Sequence, residues 1–336
     1  MKPALRAVPQ RALVAATGVL MAIAGGVFYS LGRGLAGHAG HHLLPLTIDC
    51  GLWGGLGLGF GYVLPSGAMI KWFPGRRGTV AGLAAAGFGA EPILASRGVP
   101  PAAVLFIAIL ILASAAAVLR LRIPGLGRAG GPNWAMVGQA LRSWQWYALW
   151  GILFLNSLAG FAILSQIAPL AQAIAHVSAA TTMGIAGTLP IADCAGRLLG
   201  PWLSDAVGRA PVYVAIFVAQ TGAFLLLSRA ASSGALIALT CLIVLCYGGA
   251  LGTLPALVAD YFGSGNVAPL FGLILTAWLG GGFLGPKLIS LVHQCTGQYE
   301  PALELLAGSM LMSAALAVLI RPPTAQAQSR SRPCGS

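Results

Sequence analysis

Charge is the scarcest thing in this chain. Only 8% of its 336 residues are Asp, Glu, Lys or Arg, and just 7 of them are acidic. A soluble domain carries nearer about 25%, so an ordinary water-facing globule is excluded. The six cysteines give no framework. Cys194, Cys241 and Cys246 lie within apolar runs, Cys50 lies near the end of one, and Cys295 and Cys334 are isolated. None has metal-ligand spacing, and buried thiols act as small apolar groups. No nucleophile–base pair or metal constellation stands out either, so neither an enzyme nor a bound cofactor or metal is expected. His38, His41 and His42 form a cluster without a nearby carboxylate or thiol and read as an exposed loop. A cleavable signal peptide is not evident: the first apolar run is too long for an h-region and lacks a fitting small-residue cleavage site.

What is there is apolar: 57% of the chain, with a mean hydropathy of +0.85. A net charge of +12 would suggest nucleic acid in a soluble protein. Here the basic residues sit in short loops between apolar runs, which removes that partner and leaves the lipid bilayer. The most telling stretch runs from Gly51 to Gly78. It has no charge from Gly51 to Ile70, then meets Lys71, Arg76 and Arg77. About 20 apolar residues cross the hydrocarbon core of a membrane. Gly51, Gly55 and Gly59 recur every fourth residue, as do Gly57 and Gly61, a spacing that lets a neighbouring helix approach closely.

Ten spans follow from the same reasoning, over residues 12–36, 43–70, 78–97, 100–120, 145–173, 180–203, 211–229, 234–258, 267–292 and 302–320. With the N-terminus in the cytoplasm, fourteen Lys and Arg fall on the cytoplasmic side. Arg97 and Arg229 fall outside, while Arg33, Arg197 and Lys287 fall within spans. The positive-inside rule then predicts cytoplasmic termini and an inner or plasma membrane location. Residues 1–122 form a first helix bundle, 123–142 a Gly- and Pro-rich cytoplasmic linker and 143–321 a six-helix bundle. The Pro-, Ser- and Arg-rich tail, 322–336, is expected to be disordered. The fold class is an all-α polytopic membrane helix bundle.

Three segments resemble the major facilitator superfamily in its oxalate/formate antiporter-like branch. KWFPGRRGTVAGLAAAGFG (Lys71–Gly89) looks like the junction of the fourth and fifth helices. GRLLGPWLSDAVGR (Gly196–Arg209) resembles the loop signature of the second half. LCYGGALGTLPALVADYFGSGNVAPLFGLILTAW (Leu245–Trp278) resembles the tenth and eleventh helices. The resemblance implies a twelve-helix fold of which the first two helices are absent here, leaving four helices and six. It departs from the family at Glu91-Pro92, at Pro201, and at Ala210-Pro211 after the signature. It implies secondary transport of a small organic anion by alternating access, as exchange or proton-linked movement. Pyruvate, formate and oxalate are the substrates it suggests. The alternative is a non-transporting remnant, or a membrane binding or sensory protein that kept the fold. Oligomeric state is not legible.

An ionisable group at the bilayer centre costs about 2.5–3.5 kcal/mol or more, so the few polar residues within spans carry the interest. Arg197 offers a permanent cation whose forked donors match a carboxylate, and the resemblance implies a substrate-binding arginine there. It could equally be a structural charge paired with Asp193 or Asp205. Asp193, four residues earlier, shares its helix face and reads either as an internal ion pair or as a proton-coupling group. Tyr62, Tyr247 and Trp278 match cavity-facing aromatics of the family; simple packing against glycines is the other reading. Lys287 lies nine residues after Trp278, half a turn out of phase, so it inherits no binding role. Glu91 is a candidate relay or boundary residue. Asp205 and Arg209 are expected at a cytoplasmic gate. Lys71, Arg76 and Arg77 are read as setting topology.

Overall fold

A computed structural model describes residues 14–26, 57–89, 133–175, 179–230 and 232–320. Every regular element among them is helical. Helix α1 is Val14–Gly26. A π-helical turn, Gly59–Val63, leads into α2, Leu64–Trp72. Then follow α3 (Arg77–Gly89), α4 (Trp134–Leu141), α5 (Trp144–Ala175), α6 (Ala179–Val207) and α7 (Arg209–Leu227). The last three are α8 (Ser233–Phe262), α9 (Val267–Thr296) and α10 (Glu300–Leu319). Helices α5, α7, α8, α9 and α10 are long and apolar enough to cross a membrane. Helix α6 has 29 residues but carries Asp193, Arg197 and Asp205.

From α5 onward the helices follow the predicted spans, and several run past them. Helix α6 continues to Val207 and α8 to Phe262, because charged residues at their ends have partners across the bundle. Within the predicted linker, residues 134–141 fold as a helix. The Asn133 side chain caps it by accepting from the Met136 amide at 3.3 Å, while Val137 and Ala140 are buried. The whole of span 100–120, Glu91 and the histidine cluster lie outside the described residues.

Prolines inside α5, α6, α8 and α9 are tolerated because neighbouring helices re-satisfy the freed backbone groups. Glycine sets how closely the helices pack. A Cβ on Gly200 of α6 would lie 2.7 Å from the Gly249 Cα of α8, and one on Gly281 of α9 would lie 2.7 Å from the Phe154 carbonyl of α5. In the first-half segment, Gly25 of α1 abuts Gly57 and Gly61. Gly59, from the other glycine row, has nothing within 4 Å of a would-be Cβ. The Gly57/Gly61 row therefore makes the close approach. Tyr62, Tyr213, Tyr247, Phe217, Phe224 and Phe271 are fully buried. Val218, Leu225 and Leu226 of α7, and Leu311, Met312 and Val318 of α10, are exposed. Large apolar side chains over a whole outer face suit lipid rather than water: this is an integral membrane protein.

Candidate functional site

A cavity of about 490 Å³ opens between the C-terminal end of α3 and helices α5, α6 and α9. Gly89, Phe161, Leu164, Leu189, Asp193, Trp278 and Gly282 are among its walls. Asp193 stands fourteen residues from either end of α6, about 21 Å along the axis each way. The cavity thus reaches the middle of the helix that holds the charges.

Arg197, one turn further on, is 5% exposed. Its Nε donates to Asp193 Oδ2 at 2.9 Å, and its Nη2 lies 2.7 Å from the same oxygen. Its Nη1 donates to the Ala85 carbonyl of α3 at 3.2 Å. Desolvating a guanidinium is costly unless it is paired and hydrogen-bonded, and this arrangement supplies both. Gly89 makes room for it, since a Cβ there would lie 2.8 Å from Nε. Asp193 lines the cavity, and Arg197 is not among the lining residues. The carboxylate therefore faces the space and the guanidinium sits behind it. Asp193 Oδ1 is buried with no hydrogen-bond partner, close to Gly248 of α8.

The aromatic candidates divide. Trp278 lines the cavity, and its Nε1 donates to Tyr247 Oη at 2.8 Å. Tyr247 is buried behind it, its carbonyl accepting from Asn156 Nδ2 at 3.1 Å. Phe161, which the sequence reading passed over, lines the cavity and sets its ring edgewise to both, with centroids 6.0 Å from Tyr247 and 5.4 Å from Trp278. Nothing in its apolar surroundings sets it apart in the sequence. Tyr62 is not among the lining residues. It stacks on Phe88 at 5.5 Å, meets Phe271 edge-on at 5.3 Å, and donates to the Leu251 carbonyl at 3.3 Å, bridging α3, α8 and α9. Lys287 holds its Nζ 3.8 Å above the Phe283 ring and is not among the cavity residues.

At the far end of α6 a second cluster ties α3, α6, α7 and α8 together. Asp205 accepts from the Gly78 amide at 2.9 Å, the Thr79 amide at 2.6 Å and Thr79 Oγ1 at 2.7 Å. It thus caps α3, whose free amides carry positive partial charge. Partial burial opposes ionisation of Asp205, but these hydrogen bonds from Thr79 and Gly78, with the charge of Arg209, outweigh it. They hold the carboxyl below its ordinary range. Arg209 lies 2.8 Å from Asp205 and donates to Asp260 at 3.0 Å and to Ser204 Oγ. Arg77 donates to the other oxygen of Asp260 at 3.0 Å. Asp205 and Arg209 do join helix ends, but Arg77, Thr79 and Asp260 complete the cluster. Arg77 was read only as a topology signal. The clue to more was its place in the first turn of α3, where a cation opposes the helix dipole and needs an acid.

These features define an integral membrane helix bundle with a cavity at the middle of α6 and an ion-pair cluster at one end of that helix. No protein-family model matches the chain. It is similar to an uncharacterized MFS-type transporter, YhjX, of Escherichia coli (strain K12), 24% identical over 268 residues, covering 75% of this chain and 66% of that one. It is also similar to the oxalate:formate antiporter of Oxalobacter formigenes, 26% identical over 260 residues, covering 70% and 60%. The chain thus spans two thirds or less of the length of these relatives. Among solved structures it resembles a major facilitator superfamily transporter, FucP, in the outward conformation (TM-score 0.68, 17% identity, 91% of this chain and 86% of that one). It also resembles the human organic anion transporter MFSD10 (TM-score 0.63, 14% identity, 92% and 82%). The chain shares the fold of major facilitator superfamily transporters and is similar in sequence to two transporters. These relatives are transporters by name.

Proposed function

We propose that the chain carries an organic anion across the membrane by alternating access, with Arg197 as the counter-charge for a carboxylate and Asp193 as the group that releases it. The observation that carries this reading is the order of charges along the approach from the cavity: Asp193 first, among the lining residues, and Arg197 paired behind it. Protonation of Asp193 frees the guanidinium fork, and an incoming carboxylate takes the vacated place. Movement is then linked to a proton. The antiporter among the relatives supports an anion as cargo. Trp278, locked by its hydrogen bond to the Tyr247 behind it, forms the wall against which the rest of the molecule rests.

The end that carries Arg77, Asp205, Arg209 and Asp260 is assigned to the cytoplasm. Exposed Lys71, Arg76 and Arg142 cluster with these helix ends, as the positive-inside rule requires of a cytoplasmic face. The ionic cluster is then a closed inner gate, and the cavity faces outward.

The test is uptake of labelled pyruvate into proteoliposomes, with and without an imposed pH gradient. Arg197→Lys lowers uptake strongly, because a point charge does not reproduce a bidentate fork. Asp193→Asn keeps exchange but abolishes accumulation driven by the gradient. Intact uptake by Arg197→Ala would overturn the assignment.

A further inference from the structure

The cavity is large, and its chemistry is one-sided. Its volume of about 490 Å³ falls in the range of sites for drug-sized ligands. Oxalate and pyruvate each have roughly the bulk of three waters at about 30 Å³ apiece. Either would leave most of the space wet. Beyond glycine, the walls away from Asp193 are Phe161, Leu164, Leu189, Trp278, Leu279 and proline. Among the described residues Ser165 is the other polar side chain in the lining, and its hydroxyl is spent on the Ala162 carbonyl at 3.0 Å. Phe161 and Trp278 present rings at 63° to one another, 5.4 Å apart, a corner that receives a third ring edge-on or offset. Among the described residues no cation lines the cavity: Arg197 lies behind Asp193 as the one cation next to it, and Lys287 stands over Phe283. A dicarboxylate would therefore bury one charge unpaired, which is costly.

Resting on the anion reading above, the geometry points to a monocarboxylate with a bulky apolar body, aromatic or branched, as the substrate class. The carboxylate goes to Arg197 and the body fills the corner formed by Phe161 and Trp278. This departs from the pyruvate, formate and oxalate that the family resemblance implies. Those molecules satisfy the charged end and leave the apolar walls unused.

The experiment compares four probes on the full chain in nanodiscs, by calorimetric titration with empty nanodiscs as background. The probes are pyruvate, phenylpyruvate, the uncharged methyl ester of phenylpyruvate, and oxalate. Pyruvate and phenylpyruvate share a head and differ by one ring. Burial of that ring is expected to tighten binding roughly tenfold or more, with oxalate weakest. Leu164→Trp, which fills the cavity, and Phe161→Ala, which removes one wall, each bring the phenylpyruvate-to-pyruvate ratio toward one. Two variants are used so that one that fails to fold does not decide the matter. Pyruvate or oxalate binding as tightly as phenylpyruvate would overturn the bulky class and leave the anion reading standing. An ester that binds as well as the acid would instead remove the carboxylate from the argument. Absence of binding by all four probes would overturn both.

Discussion

Replacing Asp205 with Asn tests whether the ionic cluster holds the two halves together. The carboxylate accepts three hydrogen bonds from the first turn of α3 and pairs with Arg209. Asparagine keeps one acceptor and loses the charge. A helix N-cap contributes about 1 kcal/mol, and hydrogen bonds to a charged acceptor are worth more than neutral ones. The pair is half-buried, so screening reduces its Coulomb part. A net loss of about 1–2 kcal/mol is expected, which shifts the closed-to-open ratio roughly 5- to 30-fold. Spin labels at Gly75 and Gly265, two turn positions with open space around a would-be Cβ, report the separation of the halves at this end. The parent chain should give a single short distance near neutral pH. Asp205→Asn should add a longer one. The pH dependence has a definite sign. Closure depresses the Asp205 pKa, so its contribution is fully present above the ordinary carboxylate range and is lost as pH falls through the depressed value. Acid should therefore open the parent chain and leave the Asn variant unmoved. An unchanged distance distribution in the variant, at both neutral and acid pH, would refute the reasoning.

Three further outcomes follow from the geometry. Gly89→Ala places a methyl against the Arg197 guanidinium and should weaken anion binding several-fold while the helix content by circular dichroism is unchanged; unaltered binding would show that Arg197 is not held there. Trp278→Phe deletes the bond to Tyr247 and should cost about 1 kcal/mol of stability, read as a lower melting temperature, with no effect if the two side chains do not touch. Gly200→Leu forces α6 and α8 apart at a contact between backbones, and should reduce folded yield far more than Gly222→Leu, whose Cβ would meet open space.

Helices α5 to α10 were legible in the sequence because hydropathy is a property of each segment taken alone. Their ends were less so, since α6 and α8 run on to Val207 and Phe262, past Asp205 and Asp260, whose partners lie far away in the chain. Helix α4 was hidden because eight residues with one buried edge look like a linker until α5 covers Val137 and Ala140. The contact between Asp193 and Arg197 could be read from their four-residue spacing. Which of the two faces the cavity could not, because the rotation of α6 is set by glycine contacts with α8 and α3. Tyr62, Tyr247 and Trp278 look alike in sequence, yet the structure puts one among the cavity walls, one behind it and one between helices. Phe161 had no signature at all, being an aromatic in an apolar helix.

The cap on α3 comes from a residue 127 positions away in the chain, and this gives the proposed gate a thermodynamic character. A helix capped by its own neighbours keeps its first turn whatever the rest of the protein does. Helix α3 does not: separation of α3 from α6 strips the Gly78 and Thr79 amides of their acceptor, so the first turn frays as the halves part. Opening is then partly a local unfolding event, with the enthalpy and entropy of one, and should steepen with temperature. The same two amides should exchange with deuterium at the rate at which the inner end opens, which makes them a label-free clock for the motion.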